Sequence, residues 1–227
     1  KDEPHQHDKI EFNVAITCFT FDIQKKIKKI LPLLNSKERE LFIKKNFHQT
    51  INLIKNKNAI YGIETQIKKI NQLEILYKKY RSGDFNKNLK ELKDKINICK
   101  KLGTLPFSIL ARHAFVSKAL LDSLVEERVM SDLDKQNFMG SIKTITGEFV
   151  SDTEKFNLNK ISKKELIDKY GHLRPGTYNI TSKRYDETKI FDKKNKKKQI
   201  KKRNNFSLTK NMKDKFLRVL IKNKIKD

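Results

Sequence analysis

The 227-residue chain is 37% apolar and 35% charged, with Leu, Ile and Phe throughout, which excludes a disordered polymer. No apolar run approaches the roughly 20 residues that cross a bilayer. The formal charge is +25, but 44 of the 52 basic residues are Lys, and residues 192–227 hold 15 of the 52 against three acidic residues. A lysine excess with Ile and Asn enriched beside it reads as compositional drift and solvated helix faces, and it disfavours a nucleic-acid partner, since base and phosphate readers prefer the guanidinium fork.

Lys1 to Lys9 is polar apart from Pro4, which is no signal peptide, and the first residue is not Met, so the chain reads as part of a longer one. His5 and His7 are close enough to suggest a metal pair but read as a polar lead-in to EFNVAITCFTF. That run, Glu11 to Phe21, is apolar, β-branched and aromatic and predicts a strand. Asp22 then opens a short amphipathic helix disturbed by Pro32, and Asn35 with Glu38 forms a capping box for a helix through about Lys55.

Ile60, Ile63, Ile67, Ile70, Leu73, Leu76 and Tyr80 recur at helical spacing, and Gly83 is placed to cap that helix in the left-handed region. Leu89, Leu92, Ile96 and Cys99 mark a further helix ended by Gly103. Thr104 and Pro106 then open the least polar helix, through about Arg128, which is expected to be central and nearly surrounded. Ser131 to Phe149 reads as the next, and Ser162 with Glu165 opens one that stops at Tyr170-Gly171. An irregular run follows, then a basic linker, then a last helix around Met212 to Leu220. The fold class is mainly α: an irregular multi-helix domain over 1–191 with one or two strands near its start, a linker over 192–206, and a C-terminal helix over 207–227 leading onward. Cys18 and Cys99 are isolated and read as buried free thiols of a cytoplasmic protein.

The chain has no glycine-rich phosphate loop, HExxH, CxxC or GxSxG. What could carry chemistry is ARHAF and the irregular run. Arg112 and His113 interrupt the apolar helix, so Arg112 must meet a carboxylate such as Asp122, Glu148 or Asp152, or else a bound anion. His172, Arg174, Tyr178, Arg184 and Tyr185 follow a helix end and a Pro-Gly turn, which makes either a corner pinned by polar groups or a ligand-facing loop. In so lysine-rich a chain, Arg112, Arg174 and Arg184 stand where a planar fork would matter.

HDKIEFNVAITC, GTLPFSILARHAFVSKALLDSLV and YGHLRPGTYNITSKRYDE resemble, in that order, segments of bacterial phosphoenolpyruvate synthase-like proteins, relatives of pyruvate phosphate dikinase and rifampicin phosphotransferase. The resemblance covers most of residues 4–190, and its third segment is the most specific. It implies an ATP- and Mg²⁺-dependent enzyme of three parts: an ATP-grasp domain, a helical region, and a mobile domain whose phosphorylated histidine passes phosphoryl to a small-molecule acceptor. This chain would be the middle part, with the other two domains of the same parent protein as partners.

ATP-grasp elements and the Ser-His motif are not found in it, so neither His113 nor His172 is assigned as the phosphohistidine. No catalytic residue, metal ligand or cofactor is assigned within the chain. Arg112, His113, His172, Arg174, Tyr178, Arg184 and Tyr185 are the expected substrate-binding or domain-contact residues. Two alternatives stand beside this: a basic module for nucleic acid or an anionic surface, and a ligand-free scaffold.

Overall fold

Short polar side chains set several helix starts. Asn35, Thr144, Ser162 and Thr209 accept the backbone N–H three residues on, at 3.0, 3.0, 3.2 and 3.2 Å. Each removes one of the donors a first turn leaves open. At Asn35 and Ser162 the glutamates Glu38 and Glu165 return the bond, closing both predicted capping boxes. Other helices end with a non-glycine residue in the left-handed region. Arg128 (φ 57°) and Asn159 (φ 58°) let Val129 and Lys160 reach back to the carbonyls of Leu124 and Lys155.

The structure, a computed structural model, describes residues 18–30, 32–80, 85–175, 179, 181–188, 191 and 206–225. Its helices are α1 (Ile23–Ile30), α2 (Ser36–Lys55), α3 (Ile63–Tyr80), α4 (Phe85–Lys90), α5 (Leu92–Cys99), α6 (Leu105–Glu126), α7 (Asp132–Ser141), α8 (Ile145–Asn157), α9 (Lys163–Tyr170) and α10 (Lys210–Lys222). No strand occurs among the described residues, so the fold is mainly α.

Residues 11–17 of the expected strand lie outside the described residues, as do His5, His7, Gly83 and the basic segment 192–205. The end of that stretch, Cys18–Phe21, is buried without being a strand. Phe19 N–H donates to Thr50 Oγ1 at 2.9 Å and Phe21 N–H to Ser123 Oγ at 3.2 Å. Alternate amides thus find hydroxyls of α2 and α6 where a sheet would offer carbonyls.

The chain divides into two compact units, Lys1–Ser131 with Thr209–Asp227, and Asp132–Leu208, so the segment 1–191 contributes to both. In the first unit, Phe19, Phe21, Ile23, Ile27, Val129 and Val219 form the core. Phe19 meets Phe47 edge-on at 5.1 Å, and Phe21 meets Phe216 edge-on at 6.2 Å. Ile23 and Ile27 are almost wholly buried, each worth about 1.5–3 kcal/mol relative to exposure. Glu127 holds α10 in place by pairing with Lys25 at 3.2 Å and Lys222 at 2.9 Å, and these lysines, Lys222 first, lower its carboxyl pKa. The second unit has its own core of Phe156, Leu166, Tyr170 and Phe191.

Three expected boundaries change. Gly103 does not end a helix and Thr104 does not cap one: α5 runs into α6 through a π turn, Lys100–Thr104. Pro106 has no N–H for the carbonyl of Leu102, and the wider turn lets Leu105 N–H reach the carbonyl of Lys100 instead. The helix expected from Ser131 to Phe149 is two helices, broken where Thr144 turns extended to cap α8. And α6, though the least polar helix, is not surrounded. Phe107 is 69% exposed and Leu105 51%, because only a stripe through Pro106, Val116 and Ser123 is fully covered. Cys18 is buried as expected, whereas Cys99 is exposed.

Candidate functional site

In the first unit α3 packs along α6. The face expected from the isoleucine spacing of α3 is partly covered in its later turns, at Ile70, Leu73 and Leu76, but not at its start. Gln66 has no exposed surface, while Ile60, Ile63 and Ile67 are exposed. The cause is the loop entering the helix, Asn56–Gly62 (NKNAIYG). Gln66 Nε2 turns inward and donates to the carbonyls of Ile60 at 2.7 Å and Gly62 at 3.4 Å. The Gln66 Nε2 takes this position because the Ile60 carbonyl needs a donor there, while the Gly62 carbonyl also accepts the Gln66 backbone N–H at 3.2 Å.

The loop is tightly wound. Gly62 N–H donates to the carbonyl of Ala59 at 2.8 Å, and Glu64 N–H to that of Lys57 at 3.1 Å. A Cβ on Gly62 would lie 2.0 Å from the Lys57 carbonyl oxygen, so no other residue fits. Against this loop α6 places His113, whose Nε2 lies 3.0 Å from the carbonyl of Tyr61. A carbonyl only accepts, so Nε2 carries the proton.

One turn earlier, Ser108, Ile109 and Arg112 face a cavity of about 560 Å³, closed on the other sides by the end of α2 (Gln49, Asn52) and by Tyr61. The walls are mostly carbon, with a few polar groups at the rim, the usual make-up of a small-molecule site. Ser108 Oγ donates to the carbonyl of Leu105 at 2.9 Å, which leaves its oxygen as an acceptor. No carboxylate lines the cavity among the described residues. Arg112 itself is exposed and has no ion-pair partner among the described residues. The carboxylates expected for it are engaged elsewhere: Asp122 with Lys118 at 2.7 Å, and Glu148 and Asp152 with Lys169 at 3.4 and 2.8 Å.

The irregular run lies in the second unit and is a closed loop on the end of α9. Tyr185 N–H donates to the carbonyl of Leu173 at 2.8 Å, and Asp186 N–H to that of Gly171 at 3.1 Å, so the chain leaves and returns at the same point. Gly171 allows the closure: a Cβ there would meet the Ile167 carbonyl oxygen at 2.5 Å and Asp186 Cβ at 3.0 Å. Inside the loop, Asn179 Oδ1 accepts from Thr181 N–H at 2.9 Å.

Tyr185 stacks on Phe149 at 5.4 Å and 12°. The Arg184 guanidinium grips both oxygens of Asp186, which holds that carboxyl below its ordinary pKa. Arg174 is half-buried and engaged, His172 is exposed, and Tyr178 lies outside the described residues.

Below this loop sits a cluster that sequence reading did not single out. Asp152 accepts from Lys155 Nζ, Lys169 Nζ and Tyr170 Oη, each at 2.8 Å. These donors, Lys155 first, hold the Asp152 carboxyl well below the usual carboxylate range, and Asp152 in turn raises Lys169. Burial foremost raises the Tyr170 phenol. The cluster ties α8 to α9.

Of the seven expected site residues, Arg112 lines the pocket, His113 holds the loop beside it, Tyr185 is part of a core, and Arg184 closes a corner. Gln49, Asn52 and Tyr61 line the pocket, Gln66 lies buried behind its loop, and none of them was foreseen. The one sequence signal for them is NKNAIYG, a turn-rich run between two strongly periodic helices. No group of His, Cys, Asp and Glu that could hold a metal ion occurs among the described residues, and no described helix is long and apolar enough to cross a membrane. No family model, curated protein or solved structure matches the chain.

Proposed function

We propose that the chain is the helical, acceptor-binding part of an ATP-dependent phosphotransferase of the phosphoenolpyruvate synthase type, incomplete as a catalyst on its own. The proposal rests on the three resembling segments, and one observation carries it: Arg112 stands at the rim of a mostly apolar cavity with no carboxylate among the described residues to answer its charge. An unpaired guanidinium beside an apolar cavity suits a ligand with an apolar body and an anionic or phosphoryl-accepting group. Arg112 would hold an anionic oxygen of the ligand, the Ser108 oxygen would accept a hydrogen bond from a hydroxyl on it, and the stems of Ile109 and Leu53 would cover the body.

With no carboxylate among the described residues of the cavity, the donor set does not suit Mg²⁺ or a nucleotide triphosphate bound through it. ATP, Mg²⁺ and the phosphohistidine are therefore assigned to other domains of the parent protein, and no step is derived through them here. The acceptor reading is tested in that parent protein. Arg112→Ala should raise the acceptor KM by about tenfold or more, the loss of one charge-assisted hydrogen bond, while leaving the KM for ATP in place. An unchanged acceptor KM would overturn it.

A second reading, a polyanion-binding surface, is favoured by one observation. α1 and α10 meet in the same core, which places Lys28 and Lys29 in the same unit as Lys213, Lys215 and Arg218, all exposed. It predicts affinity for nucleic acid or anionic vesicles that falls steeply between low and moderate salt.

A further inference from the structure

The loop Asn56–Gly62 has an odd energy balance. Two consecutive carbonyls are each held by a side chain from a helix, Ile60 by Gln66 of α3 and Tyr61 by His113 of α6, and the next, Gly62, takes the Gln66 backbone N–H as well as its side chain. Fixing backbone costs about 1–2 kcal/mol per residue. The usual return, burial of the side chains so fixed, is missing here: Ile60 is 70% exposed and Tyr61 62%. The ordering is spent on an aromatic ring held open at the rim of the Arg112 cavity. Rings held rigid in a concave site are a low-entropy way to recognise flat or apolar ligands.

We infer that His113 and Gln66 are positioning residues that hold Tyr61 as the specificity wall of this cavity, and that the ligand joins an aromatic or otherwise flat apolar body to an anionic group. The body packs on the Tyr61 ring and the anion meets Arg112. The inference rests on the acceptor-pocket reading and narrows it. It assigns His113 no proton transfer: its Nε2–H is committed to a backbone carbonyl, and its effect on the ligand passes through Tyr61.

The test is calorimetric titration of the 227-residue chain with phenyl phosphate, inorganic phosphate and phenol. Phenyl phosphate should bind about tenfold or more tightly than either half, since the ring contact adds to the charge-assisted one. Arg112→Ala should abolish binding of both phosphates. His113→Leu should weaken phenyl phosphate about tenfold and leave inorganic phosphate within about twofold, because only the ring contact depends on the loop. His113→Gln, whose amide can donate to the same carbonyl, should restore most of the loss, which a packing defect would not allow.

Tyr61→Ala gives the same selectivity change without touching the helices, and it decides the matter if His113→Leu fails to fold. Should wild type bind neither phosphate, or Arg112→Ala bind both normally, the pocket reading falls and this inference with it. If Arg112→Ala loses binding while Tyr61→Ala and a folded His113→Leu keep the wild-type preference for phenyl phosphate, the inference alone is overturned and the pocket stands.

Discussion

The cavity beside α6 and the closed loop on α9 are made of similar parts: a helix, a turn-rich run and an arginine. In the loop the arginines and acidic groups are engaged. Arg184 grips Asp186, and Lys169 meets Asp152 and Glu148 beneath it. In the cavity the charge is left open, and the polar effort goes instead into backbone carbonyls, taken by Gln66 and His113. The loop on α9 pairs its arginine internally, whereas the cavity fixes its backbone and leaves an exposed guanidinium without an ion-pair partner among the described residues. Residue type alone does not separate the two, since both regions carry arginines placed next to turns or helix breaks.

Substitutions can break or sharpen this contrast. The largest effect is expected at Gly62→Ala, where a methyl group 2.0 Å from a backbone oxygen forces the loop to rearrange. Urea denaturation of the first unit should show a loss of about 3 kcal/mol or more. A loss below about 1 kcal/mol would mean the loop gives way easily and the cavity wall is soft.

Ser123→Ala comes next. Ser123 has no exposed surface, and its removal leaves the Phe21 N–H buried without a partner, for about 1–3 kcal/mol. Val at Thr50 should act similarly on Phe19, and an unaffected stability in both would show that the segment after residue 17 is not sewn in through hydroxyls.

In the second unit Tyr170→Phe removes the hydroxyl bond to Asp152 and should cost about 1–2 kcal/mol with no change in the first unit's melting. The same cluster fixes a pH window. The folded pKa of Asp152 is depressed, so its contribution is fully present above the unfolded value of about 3.9 and is lost as pH falls towards the folded one. The folded pKa of Lys169 is raised, so its contribution is present below about 10.4 and fades above that. The second unit should therefore lose stability below about pH 4, and Asp152→Asn should flatten that acid limb; a limb unchanged in the variant would discard the cluster as its cause.

The smallest effects separate the two arginines. Arg184→Ala should lower the second unit's melting temperature by a degree or two at most, as exposed pairs do, and Arg112→Ala should leave the first unit's melting temperature unchanged within error. An appreciable drop at Arg112 would reveal a structural role and count against the open-cation reading.

Much of the helix register is legible in the chain. The capping boxes at Asn35 and Ser162 and the stop at Tyr170-Gly171 are local events, decided within four residues by hydrogen bonds the chain makes with itself. The irregular run could be read as a corner or a site, and the tertiary structure makes its described part a corner with a core tyrosine. Arg112 was legible as an oddity, but whether it would find a carboxylate depended on where three acidic residues ended up.

By itself the sequence determined helix content, most helix starts, and the positions where a guanidinium or imidazole breaks an apolar run, because these follow from short-range bonding and from spacing along one helix. Only the tertiary structure decided that Gln66 rather than an isoleucine is buried at the start of α3, that α5 passes through Pro106 and Gly103 into α6, and that Cys18–Phe21 is held by helix hydroxyls. Each of these is settled by competition among partners distant in the chain for a limited set of donors and acceptors, or by what the packing of α3 against α6 allows. Local propensity does not register either.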